Sequence, residues 1–428
     1  MKRISVVLLA LLIFSSLAYA GGAEEKPAAK EEKIALRYMM WDPQIIEKEE
    51  ALAEKFNQEN PNITVSIEGV AFAQFWEKMK AMAAAKNMPD VFWMSSGTVK
   101  EYGKQGALLN LDEHISKLDT SKYYTKALNV LRVPNFQGKL YAFPWAVVGC
   151  ISYYNIRIFD EAGLAYPTNK WTFDDMRSLA QKLSKDTDGD GAFDQWGYWV
   201  KGRYTQLYPF LYNNGTQLVD DAFTKLQMAE PAGREAFKFL TDLVAKDKFS
   251  PTPAQTKGVS TFFTTGKVGM VTEGTWRIDT YRKGLADPFG IVLVPKGPRS
   301  GGKDVVYGWA DAYSISAFTK YPDAAWDWMI YMVGPARPVD SILGGKVPIL
   351  KEAAQSPTWL EKDQLPANKG LVLDAIDLIG PTVTIPPASG EIDKVVNTGF
   401  EKLVLADADF DAVMKEMEED VAKILARQ

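Results

Sequence analysis

The densest run of chemically capable side chains is DTDGDGAFD. Asp186, Asp188 and Asp190 stand at its first, third and fifth places, Gly191 at the sixth and Asp194 at the ninth. Calcium takes about six to eight oxygen ligands, and a glycine permits the sharp turn between them. Carboxylates this crowded repel one another unless a cation intervenes. No motif requires a cofactor, but this loop is a candidate structural calcium site. Gly197 stands where an EF-hand loop would place a bidentate Glu, so a solvated Asp/Gly turn is the alternative. Elsewhere chemistry is scarce. The one cysteine, Cys150, can form neither an intramolecular disulfide nor a Cys-based metal site. The one histidine, His114, lies in an apolar-periodic segment and reads as a helical residue at the solvent edge, which argues against histidine triads.

What remains is aromatic and hydroxyl- or carboxylate-bearing residues, and the elements that would place them. IALRYMMW (34–41) reads as a strand, 45–56 as a helix stopped by Asn60-Pro61, and ITVSIEGV (63–70) as a half-buried strand. A helix over 72–86 and the apolar run VFWM (91–94) follow. This alternation predicts an α/β fold with a mainly parallel sheet and crossover helices. Further on, 138–155 reads as an extended segment broken at Pro144 and then a strand. Thr172 with Asp175 resembles a capping box opening a helix. Helices over 234–246 and 260–265 precede the strand VGMVTEG, and a later strand YGWADAYSIS precedes the helix DAAWDWMIYMV. The tail from about 400 to 427 reads as one or two helices. Ligands of open α/β sheets sit at the carboxyl ends of the strands. There the sequence offers Trp41 and Asp42 after the first strand, and Ser95, Ser96 and Gly97 after VFWM.

The chain's 428 residues suit two lobes, and its composition is that of an ordinary globular protein. Its net charge of −5 without a basic block argues against a nucleic-acid partner. Residues 1–20 have the form of a signal peptide. Lys2 and Arg3 precede a short apolar stretch, and Ala18-Tyr19-Ala20 supplies the small-x-small exit. A membrane span would need about 18–20 apolar residues without that exit. Cleavage after Ala20 is expected, with Gly21 where a lipoprotein would carry cysteine, and residues 21–33 as a mobile leader. The expected location is the periplasm.

Several separated segments resemble one family, the extracellular solute-binding proteins of ABC sugar importers (maltose-binding-protein-like). They are FNQENPNITVSI (56–67), FWEKMKAMAAAKNMPDVFWM (75–94), the stretches 138–155 and 159–172, FFTTGKVGMVTEGTW (262–276) and ISAFTKYPDAAW (315–326), in the family's order. The resemblance implies a two-lobed periplasmic-binding-protein fold with three hinge crossings, here near 143–145, 273–275 and 313–316. Lobe 1 would be 34–145 plus 274–315, and lobe 2 would be 146–273 plus 316–428. It implies a monomer that captures a carbohydrate, read here as an oligosaccharide, and passes it to a membrane permease.

Trp145, Trp276 with Arg277, and Trp309 with Asp311 then fall at or near the crossings. Sugars present flat C–H faces and many hydroxyls, which suit indole rings beside directional polar groups. Trp171, Trp326 and Trp328 lie in or near helical patterns and are assigned to packing. Family cleft positions add Phe75, with Trp76 beside it as an alternative stacking ring, Tyr154, Asn155 and Asn214. Arg277 could meet an anionic sugar or merely pair with Asp279. Two rival readings remain: a polyamine or other small-solute binder using Asp42 and Asp311, and a secreted glycoside hydrolase with a carboxylate pair.

Overall fold

The computed structural model describes residues 32–132, 138–259, 261–337, 339, 342, 344–380 and 388–427. The expected signal peptide, and all of the leader but Glu32 and Lys33, lie outside the described residues. No helix among the described residues is long and apolar enough to cross a membrane.

The described residues hold nine strands: β1 (Ile34–Met40), β2 (Ile63–Gly69), β3 (Val91–Ser95), β4 (Phe143–Asn155), β5 (Trp196–Trp199), β6 (Val268–Gly274), β7 (Phe289–Val292), β8 (Gly308–Ile315) and β9 (Val347–Pro348). The main path runs β2-β1-β3-β8-β4-β6-β5, with β7 and β9 also paired to β4. β1 is parallel to β2 and β3, and β5 to β6. The pairings of β3 with β8, and of β4 with β6, β7, β8 and β9, are antiparallel. The sheet is therefore mixed, where helix–strand alternation alone suggested a mainly parallel one. The reversal comes from the strands that pass between the two halves.

β4 is the spine. All 13 of its residues are buried, and a strand covered on both faces reads as a continuous apolar run. Its first part pairs with β8 as far as Gly149, and from Cys150 onward it pairs with β6. Pro144 does not break it, because the register shifts there as in a β-bulge, where a missing N–H is tolerated. Two bonds mark the changeover: Thr275 N–H donates to Gly149 O, and Cys150 N–H to Tyr307 O, both at 2.8 Å. The chain thus enters the second half near 149/150, stays there through β6 and β7, and returns to the first half near 307/308 with β8. These two changeovers lie several residues away from 143–145 and 313–316, and at the expected 273–275 β6 ends without the chain leaving the second half. Pro144 marks a bulge inside a strand, so it was a misleading guide.

The larger apolar core surrounds β1, β3, β8 and the first part of β4, then continues along one face of the second half. A second core covers that half's other face. Helix Pro322–Val333 belongs to the first: Trp328 packs 5.8 Å from Tyr38 and 5.1 Å from Phe56. Residues 316–333 therefore depart from the expected lobe 2. Helices Ser389–Leu405 and Phe410–Leu425 pack on the second core. The helix Phe173–Leu183 opens on the capping box of Thr172 and Asp175, and 262–265 is a single 3-10 turn. His114 sits in the short helix Asp112–Ser116, 3.1 Å from Asp323 and against Trp326.

Candidate functional site

Three groups of side chains meet where the halves exchange chain. The first comes from the carboxyl ends of β1 and β3. Trp41 is half-buried and lies edge-on to Trp93 (ring centres 4.9 Å apart), Phe75 (5.3 Å) and Phe72 (5.8 Å), with Trp76 tilted beside it at 5.7 Å. Phe72 is 56 % exposed, so Phe72, Trp41 and Trp76 present an open aromatic edge. Asp42 is half-buried after Trp41. Ser95, Ser96 and Gly97, also half-buried, open the helix Ser96–Lys104. The Ser96 hydroxyl has no protein partner there, and a helix's first amides have no intrahelical acceptors.

The second group lies on β8. Trp309, half-exposed, donates its indole N–H to Asp311 Oδ1 at 3.2 Å. The other oxygen of the buried Asp311 accepts from Lys346 Nζ at 2.7 Å. That ammonium sits over the rings of Trp145 (4.8 Å) and Trp93 (5.3 Å).

The third comes from the carboxyl ends of β5 and β6. Glu273 is buried and is bound by Lys201 Nζ at 2.5 Å, Arg277 Nε at 2.9 Å and the Thr205 hydroxyl at 3.0 Å. Burial opposes charge on Glu273, but Lys201 and Arg277 outweigh it and hold its pKa below the usual carboxylate range. Burial pushes the pKa of Lys201 down, with Glu273 opposing. Trp276 is half-exposed and folds back over its own strand end, where a Cβ on Gly274 would fall 1.8 Å from the indole. Its ring lies 5.2 Å from Trp309, and Tyr204 lies 6.3 Å from Trp309 on another side.

These contacts join into one line: Trp41, Trp93, Trp145, Lys346, Asp311, Trp309, Trp276. Four tryptophans expected from the sequence therefore share one junction. At its rim the halves meet again, with Lys100 Nζ 4.5 Å from the ring centre of Phe223, which packs on the second core.

Not every expected residue faces that junction. Trp145 is only 2 % exposed, wedged between Trp93 and Tyr313, so it supports rather than presents a surface. Phe75 is fully buried and buttresses Trp41 and Trp76. Asn155 is buried as the N-cap of the helix Ile156–Glu161, accepting from Ile158 N–H and donating to Asp287 at 2.8 Å. Asn214 is buried too, donating to Ala232 O and accepting from Arg299 N–H. Tyr154 stacks on Tyr166 at the far end of β4. It lines a separate groove of about 710 Å³ with Thr168, Asn169, Asn368 and Lys369. Arg277 pairs with Glu273, and Asp279 instead accepts from Gly344 N–H at 2.7 Å.

The sequence reading missed Lys346, Phe72, Tyr204 and the Lys201–Glu273 pair. Phe72 and Tyr204 stand beside strand ends and were reachable by the strand-end rule. Lys346 lies 35 positions from Asp311, and no local pattern joins them.

In the Asp-rich loop, Asp186, Asp188 and Asp194 can each bring one oxygen within 4.8 Å of the others. Asp190 is not among them, and its Oδ1 accepts Ala192 N–H at 2.8 Å. Backbone amides of Gly191 and Gly189 hold the Asp186 pKa below its ordinary value, and Thr187 binds both oxygens of Asp194. Donors within the loop thus already engage both oxygens of Asp186 and of Asp194.

The fold matches an ABC substrate-binding protein from Listeria monocytogenes in complex with cycloalternan, with a TM-score of 0.80 and 22% identity over 92% of this chain and 100% of that one. A binding protein of Brucella abortus is 23% identical over 378 residues, 86% of this chain and 87% of that protein. The diacetylchitobiose binding protein DasA of Streptomyces coelicolor is 26% identical over 262 residues, 59% of this chain and 58% of that protein. Residues 51–367 match the sequence model of one family, and the chain accordingly belongs to the bacterial extracellular solute-binding proteins.

Proposed function

We propose that this protein captures a neutral oligosaccharide at the junction of its two halves and delivers it to an ABC permease. The observation that carries the reading is the line of contacts that joins accessible aromatic rings of both halves, Trp41, Phe72, Trp76 and, on β8, Trp309 from the first and Trp276 from the second. Trp and Tyr rings match the C–H faces of pyranoses, and Asp42, Ser95, Ser96, the Gly97 amide and Arg277 supply directional hydrogen bonds for hydroxyls. Closure is driven only by contacts that the ligand makes better in the closed state than in the open one. The sugar-binding relatives named above, one with cycloalternan and one with diacetylchitobiose, support the same class of ligand. Cleavage after Ala20, free existence outside the cytoplasm and a monomeric state belong to this reading.

Both rivals meet a physical objection. A polyamine site on Asp311 would have to displace Lys346 from it. A glycoside hydrolase needs a carboxylic acid whose pKa is raised, whereas Glu273 is pushed the other way and Asp311 is tied to an ammonium.

A thermal-shift screen tests the proposal. At about 100 times its dissociation constant, a stoichiometric ligand adds roughly 2.7 kcal/mol. Neutral oligosaccharides such as diacetylchitobiose and maltotriose should include one that raises Tm without releasing reducing ends. A rise with spermidine alone contradicts the proposal.

We also propose a structural calcium in the loop of Asp186, Asp188 and Asp194. Millimolar calcium should raise Tm, and Asp186→Asn should remove that rise. Identical melting in calcium and in chelator contradicts it.

A further inference from the structure

Lys346 occupies a position that an amine ligand would choose. Its ammonium lies 2.7 Å from Asp311 Oδ2 and over the faces of Trp145 and Trp93. A carboxylate beside the faces of two indoles is the environment that selects ammonium groups. Here the chain fills it with its own side chain. Both partners are buried, at 7% and 6% side-chain exposure. The remaining Asp311 oxygen is taken by the Trp309 indole N–H, so the carboxylate has no oxygen left without a donor.

The segment that carries Lys346 is anchored on both sides. Gly344 N–H donates to Asp279 Oδ2 at 2.7 Å, in the helix Arg277–Gly284 that follows β6. Gly345 lies against Thr275 so closely that a Cβ would come 1.7 Å from its carbonyl oxygen, which no larger residue can accept. After Lys346, β9 pairs with Ala146 and Val147 of β4. The ammonium is therefore positioned by backbone on either side of it.

We propose that Lys346 is a built-in counter-ion that fixes the charge class of the ligand. By neutralising Asp311 it makes the junction accept neutral saccharides and reject amines and amino sugars. Lys346 is a specificity-determining residue in this view, acting through Asp311 and Trp309. The specificity part rests on the carbohydrate-binding proposal above; the counter-ion part does not.

The test uses Lys346→Ala, which opens space for a small cation, and the double variant Asp311→Asn/Lys346→Ala. Ethylammonium chloride is titrated against each, with sodium chloride at equal ionic strength as control. Lys346→Ala should melt lower than wild type. Ethylammonium should raise its Tm and change its tryptophan emission saturably, because the cation would lie against Trp93 and Trp145. Wild type and the double variant should respond no more than they do to sodium chloride. A response of Lys346→Ala equal to its sodium chloride control overturns the counter-ion assignment.

A second arm compares neutral diacetylchitobiose with its deacetylated diamine. Lys346→Ala should shift the affinity ratio toward the diamine by about tenfold or more, since a buried charge left unpaired gains by binding its opposite. An unchanged ratio overturns the specificity role. If wild type binds no saccharide, the carbohydrate reading fails while the ethylammonium arm still decides the counter-ion. Lys346→Met, which keeps the apolar stem between the indoles, replaces the alanine variant in both arms if that variant does not fold.

Discussion

Trp276→Ala should weaken oligosaccharide binding by about 10- to 100-fold, since losing one aromatic face costs roughly 1.5–3 kcal/mol and each tenfold is about 1.4 kcal/mol. Trp276 is half-exposed, so a ligand can reach it, and it lies 5.2 Å from Trp309, so the two indoles offer adjoining surfaces. It also follows directly on the end of β6, where Thr275 N–H bonds to Gly149 O at the point where β4 passes from one half to the other. The fold should tolerate the change, because the lost ring covers a glycine at a strand end rather than filling a core. Fluorescence titration or calorimetry reads the effect, with Tm as the check on folding. Affinity within twofold of wild type would show that the sugar does not lie against this indole.

Arg337→Met should lower stability by about 3–5 kcal/mol, the usual cost of stranding one member of a buried ion pair. Arg337 and Glu49 are 4% and 1% exposed at their side chains and pair directly. Around them Tyr38 donates to Glu49, Arg337 donates to Tyr313 at 2.9 Å, and the guanidinium lies 5.5 Å from the Trp145 ring centre. Burial opposes charge on Arg337, yet Glu49 and the two tyrosines hold its pKa above the ordinary arginine value. Burial first, then Glu49, pushes the Tyr38 phenol up. This network lies directly behind Trp145 and Trp93, so it supports the floor of the junction from the core side. At roughly 2–4 °C per kcal/mol for a unit of 150–250 residues, Tm should fall by about 6–20 °C. Glu49→Gln combined with Arg337→Met should recover much of that loss, because no bare charge is then left inside. A fall of under 2 °C in the single variant would contradict the account of this network.

Much of the fold was readable because its local patterns agree with its tertiary placement. β1, β2 and β3 alternate with helices as the periodicity requires, and the Thr172 capping box closes as its spacing predicts. Trp41 and Trp276 were reachable because they follow strand ends, whereas Trp309, second in β8, was reached through its nearness to an expected crossing. What failed has physical reasons. Pro144 looked like a break, but a bulge absorbs it inside β4. Asn155 looked like a site residue, yet an Asn just before a helix more often caps it, as here. Exposure of an indole is set by neighbours distant in sequence, so nothing local marked Trp145 as buried and Trp41 as open. Nor could spacing pair Lys346 with Asp311, or Arg337 with Glu49, since 35 and 288 residues separate them.

In the proposed function, one saccharide is held between aromatic faces of the two halves. A crystal structure of the complex with the best oligosaccharide from the thermal-shift screen tests it most directly. The account predicts intact sugar rings lying against Trp276 and Trp309 on one side and Trp41 on the other, with Asp311 still bound to Lys346. Sugar seated instead in the groove beside Tyr154, or recovered as shortened products, would contradict it.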